Sequence, residues 1–148
     1  MEFDNLLVLL MIIFTIGLFA LDFYPKEKVC FEDTKDCFWV DVVDNVEGRQ
    51  NGLMDVKFLG GKEGMLFVFP ETGNYSFWMK NTLIELDIVW VNSEKKVAYI
   101  EHSALPCLVE NCEIYNPEVE SKYVLEVRGG RMNELGIVIG EEINELPR

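Results

Sequence analysis

The chain has 148 residues, 49% of them hydrophobic, and sets 13 Lys plus Arg against 26 Asp plus Glu for a formal net charge of −13. That length suits one domain with a buried core. The acid excess argues against the basic surface that a phosphate backbone demands, so nucleic acid is not an expected partner.

From Leu6 to Leu21 the run LLVLLMIIFTIGLFAL carries no charge. Phe3, Phe23 and Tyr24 can extend it at the interfaces, so residues 1–24 are expected to form an N-terminal transmembrane helix or signal anchor. A cleaved signal peptide is the alternative, disfavoured by the lack of Lys or Arg before the run and of a clear A-x-A site. Residues 25–36, polar and containing Pro25, read as a linker, and the folded domain is expected over 37–148. Lys26 and Lys28 just beyond the run favour a cytoplasmic domain by the positive-inside rule. Four cysteines in two close pairs favour an oxidising compartment instead. On balance the expectation is a single-pass protein of the cell membrane with its soluble domain extracytoplasmic.

Phe38–Val43 alternates as a strand does, and Asp44 with Glu47 has the spacing of a capping box for a short helix ending at Gly52. Met65–Phe69 (MLFVF) is an apolar run between Gly64 and Pro70, short enough for a buried strand. Tyr75–Met79 is a strand and Asn81-Thr82 a bend or bulge. In the next strand Ile84, Leu86, Ile88 and Trp90 share one face, with Glu85 and Asp87 on the other. Asn92-Ser93 turns the chain into Val97–Ile100. Residues 102–119 read as loop, followed by a strand over Tyr123–Val127, a short helix over Arg131–Leu135 capped by Gly136, and a strand over Ile137–Ile139. Many short strands and two short helices predict a mainly β, single-domain, barrel-like fold.

Chemistry concentrates in FWMKNT, Phe77–Thr82. At period two, Lys80 falls beside the Trp78 indole, where an ammonium is attracted to the ring face. Asn81 and Thr82 add hydrogen-bonding groups at the strand end, and Asp87 is expected to return and pair with Lys80. Trp78, Lys80, Asn81, Thr82 and Asp87 are therefore the candidate ligand site, suited to a small polar or sugar-like molecule. The same Lys–Asp pair could instead be a structural device at a strand crossing. Cys30 with Cys37 and Cys107 with Cys112 are candidate disulfides. Free thiols, or His102 with Cys107 and Cys112 as metal ligands, are competing readings. The spacing of the latter is not that of a zinc knuckle, so neither metal nor cofactor is expected.

Several stretches resemble one family: GLM at Gly52–Met54, GMLFVFP at Gly64–Pro70, FWMKNT, LDIVW at Leu86–Trp90, Ala104–Cys107, YVLEV at Tyr123–Val127 and the late G-I-x-x-G. Together they are similar to DUF192. The resemblance implies a small, mostly β domain, commonly exported or membrane-tethered, with no activity established for the family as a whole. Val56 and Lys57 stand where the pattern has an arginine, Glu85 where it has a proline, and Glu141 where it has an aspartate. The expected function is a small-ligand-binding or envelope accessory module. A hydrolase using Asp87 with Lys80, and a structural protein-interaction module with an envelope partner, are the alternatives.

Overall fold

A computed structural model describes residues 25–147. Nine strands and two short helices follow in chain order: β1 (Glu27–Phe31), β2 (Cys37–Val43), α1 (Val46–Asn51), β3 (Glu63–Gly73), β4 (Phe77–Trp78), β5 (Leu86–Val91), β6 (Val97–Ala104), β7 (Ile114–Tyr115), β8 (Ser121–Arg128), α2 (Arg131–Leu135) and β9 (Ile143–Glu145). Seven strands form one curled sheet in the order β6-β5-β8-β3-β2-β1-β9, and β4 pairs with β7 apart from it. All pairings are antiparallel except β2 with β3, whose parallel register needs the crossover that α1 supplies. A bridge between Lys96 and Glu142 draws the far ends of the sheet together, giving a half-barrel.

The central strands are apolar on both faces because both faces are covered. Along β5 every residue is buried. Val89 and Val91 join Leu125, Val127 and Phe38 in one cluster. Leu86, Ile88 and Trp90 join Phe67, Met79 and Val124 in another. This alternation decides the placement of every polar residue discussed below.

Several expectations need correction. Residues 25–36 are not a linker: Glu27–Phe31 pairs with β2 on one side and β9 on the other. The polarity of this stretch hid an alternation in which Val29 and Phe31 are fully buried. The cap of α1 is Asn45, whose side chain accepts the Gly48 N–H at 2.8 Å, one residue later than Asp44. Residues 137–139 are a connection in which Ile137 alone is buried, and the final strand is β9. Among the described residues no helix is long and apolar enough to cross a membrane. The expected N-terminal helix over 1–24 lies outside the described residues.

Candidate functional site

The FWMKNT segment makes the wall of a cleft. β4 pairs with β7, and Trp78 stands 46% exposed opposite Ile114. The next residue, Met79, turns inward and is buried, so Lys80 returns to the indole side with its ammonium 5.3 Å from the Trp78 ring. Asn81 then adopts a left-handed φ of 55°, which asparagine tolerates, and the Thr82 N–H closes the turn onto the Met79 carbonyl at 3.1 Å. The bend expected at Asn81-Thr82 is present.

Opposite this wall lie α1 and the loop after it. Arg49, Gln50, Gly52, Leu53 and Met54 line the other side of a narrow cleft of about 20 Å³ that Trp78, Lys80 and Thr82 also line. Arg49 is held in place: its guanidinium donates to the Val68 carbonyl at 3.0 Å and lies 5.2 Å from the Phe69 ring centre. Gly52 has φ of 47°, and a Cβ there would stand 3.4 Å from the Phe67 ring. The glycine brings the loop close over Phe67.

At the floor is Glu126, 4% exposed. It sits on β8 between Ile88 of β5 and Met65 of β3, on the sheet face packed with Phe67 and Trp90. Burial pushes its carboxyl up to about 8, with no cation or hydrogen bond acting against desolvation. No fully enclosed side-chain oxygen or nitrogen lacks a partner among the described residues, so the Glu126 carboxyl opens onto the cleft. Near neutral pH it is predominantly a neutral acid, able to donate as well as accept.

Arg49 and Lys80 take part in none of the salt bridges among the described residues. In a chain with twice as many acidic as basic side chains, two cations facing one cleft without a carboxylate partner form a local anion-attracting spot.

Asp87 does not join them. It is fully buried and accepts three backbone N–H groups: Ser103 at 2.8 Å, Gly130 at 2.9 Å and Met132 at 2.7 Å. Its place in β5 explains this, since Ile88 and Leu86 point to the cleft side and Asp87 must point away. The expected Lys80–Asp87 pair is absent among the described residues. Asn81 is exposed; its N–H donates to the Cys107 carbonyl and its own carbonyl accepts from Asp55, so it shapes the turn and does not line the cleft. The structure thus gathers Trp78, Lys80 and Thr82 from the expected set and adds Glu126 and Arg49.

Glu126 had a signal in the sequence: a charged residue inside YVLEV, a strand apolar at both parities, has no solvent side to face. Arg49, on a short polar helix, had none.

Both cysteine pairs are disulfides, Cys30–Cys37 and Cys107–Cys112. This removes both thiols from the His102 metal reading. The second disulfide braces the site, because the Cys107 N–H donates to the Met79 carbonyl at 3.2 Å and its carbonyl receives the Asn81 N–H at 2.9 Å.

Residues 28–144 match the family DUF192, described as Uncharacterized ACR, COG1430. The chain belongs to DUF192. Two crystal structures share the DUF192 half-barrel seen here. One, a protein of unknown function from Novosphingobium aromaticivorans DSM 12444, is 28% identical with a TM-score of 0.72, covering 80% of this chain and 83% of that one. The other, named as a proposed transcription regulator from Sinorhizobium meliloti 1021, is 29% identical with a TM-score of 0.75, covering 82% and 95%. No curated protein matches the chain. Four of the stretches that carry the DUF192 resemblance converge on the cleft: GLM through Gly52, GMLFVFP through Phe67, FWMKNT through Trp78, Lys80 and Thr82, and YVLEV through Glu126.

Proposed function

We propose that this protein is a binding module for a small anionic ligand, held in the cleft between α1 and the FWMKNT turn. The observation that carries this reading is that one cleft is lined by two cations outside any salt bridge among the described residues, Arg49 and Lys80, and by a buried neutral acid, Glu126. Lys80 supplies charge, Arg49 a pre-oriented guanidinium, and Thr82 and Glu126 the hydrogen bonds that discriminate one anion from another. The uncharged Leu6–Leu21 run and the two disulfides support placing the module outside the cytoplasm at the cell membrane. The net charge of −13 disfavours a nucleic-acid partner, whatever the name of the Sinorhizobium relative proposes for that protein.

Titration of the purified chain with acetate and inorganic phosphate, followed by amide chemical shifts, tests the site. Shifts should concentrate on Gly52–Met54 and Trp78–Thr82. Lys80→Met should keep the melting temperature, since Lys80 joins no ion pair among the described residues, and lose most of the binding. A variant that binds as before would refute the reading.

The raised acid supports a second reading, hydrolysis with Glu126 as proton donor, because Asp87 is sealed behind the sheet. Glu126→Gln should then bind a substrate yet fail to turn it over; turnover equal to that of the parent chain would exclude this role.

A further inference from the structure

The cleft does not end at Trp78. Arg49, Gln50, Phe77 and Trp78 also line a shallower hollow of about 230 Å³ that continues past Phe69 and Tyr75. The deep cleft, about 20 Å³, takes no more than one small polar group, whereas the hollow, about 230 Å³, lies just below the usual ligand-pocket range of roughly 300–1,000 Å³ and leaves room for a ring. We propose that the two hollows form one groove for an acidic saccharide, its carboxylate or phosphate at Arg49 and Lys80 and its ring against the aromatic shelf of Trp78 and Phe77.

The proposal rests on the anion-binding reading of the same cleft and adds the ligand class. The aromatic geometry offers one open stacking face and no two-sided slot. A flat ring is held best between two parallel faces, but Phe69 and Tyr75 stack on each other with centroids 3.5 Å apart, leaving no slot between them. Phe77 meets Phe69 at 84° and Phe67 at 80°, so it contributes an edge-on step instead of a second parallel plate. What remains is Trp78, 46% exposed with the Lys80 ammonium 5.3 Å from its ring, so only the face away from Lys80 can take the C–H face of a pyranose. Around it, Thr82, Gln50 and Glu126 offer both donors and acceptors to ring hydroxyls.

Amide-shift titrations with glucuronate, glucose 6-phosphate, glucose, acetate and inorganic phosphate test this in the parent chain, Trp78→Ala and Lys80→Met. At least one acidic sugar should bind tenfold or more tighter than glucose and than its matching free anion. Trp78→Ala should remove most of that advantage; Trp78→Phe, which keeps a ring, should retain part of it and guards against loss by misfolding. If the free anions bind as tightly as the acidic sugars, the saccharide assignment is wrong and the anion site stands. If glucose matches the acidic sugars and Lys80→Met changes nothing, or if none of the five binds, both readings are wrong.

Discussion

Asp87 accepts the Met132 backbone N–H at 2.7 Å, joining β5 to the first turn of α2 across 45 residues of sequence. Gly130, which precedes α2, has no side chain to cap it, so a carboxylate from another strand does so and also receives the Gly130 N–H. Negative charge at that end of the helix is favourable, and the full burial of Asp87 makes the contact structural.

Asp87→Asn should therefore destabilise the fold without touching the cleft. Its amide group would present a donor to backbone donors, at a loss of about 2–4 kcal/mol. Thermal unfolding should show a drop on the order of 10 °C. An unchanged melting temperature would mean that the carboxylate contributes nothing to joining β5 and α2.

Glu126 makes the opposite contribution. Its folded pKa of about 8 lies above the ordinary value of 4.5, so between those two pH values the folded chain holds a proton that the unfolded chain has released. Stability should fall as pH rises through that window, by up to roughly 1.4 kcal/mol per pH unit from this group, and level off above it. Glu126→Gln, which cannot ionise, should flatten this part of the profile and melt higher than the parent chain at pH 8. Denaturant unfolding at pH 5, 6.5 and 8 separates the two; parallel profiles would show that Glu126 is not desolvated.

Gly64, the first residue of GMLFVFP, lies between β2 and β8. A Cβ there would come within 2.6 Å of the Glu126 carbonyl and 3.1 Å of the Val127 side chain. The obstacle is sheet backbone, which cannot yield without breaking the β3–β8 register. Gly64→Ala is expected to lose on the order of 2–3 kcal/mol in denaturant unfolding, and to disturb ligand binding through Glu126. A neutral effect would require β3 and β8 to separate more easily than their pairing suggests.

The native chain should offer no thiol to an alkylating reagent under denaturing, non-reducing conditions and four after reduction. Replacing Cys107 and Cys112 with alanine removes a constraint on a small loop, about 2 kcal/mol in the chain-entropy model. It should also weaken anion binding, because Cys107 holds the backbone of Met79 and Asn81 on either side of Lys80. Binding as tight as in the parent would show that the turn keeps its shape unaided.

Local chemistry in the sequence was enough for much of this protein. The alternation in β5, the short apolar run of β3, the turn at Asn81 and the glycine ending α1 all follow from rules acting over a few residues. So does the closeness of Lys80 to Trp78, two positions apart on one strand. The partners of Asp87 were not legible, because they arrive from β6 and α2 through the curl of the sheet. Nor was the strand hidden in residues 25–36, which exists because β2 and β9 flank it. Sequence periodicity determined which side of each strand is apolar, and from that which face Asp87 must leave. Tertiary structure alone decided that Glu126, Arg49 and Lys80 line one cleft, since pairing among strands far apart in the chain sets its walls, and burial among them is what raises the Glu126 carboxyl.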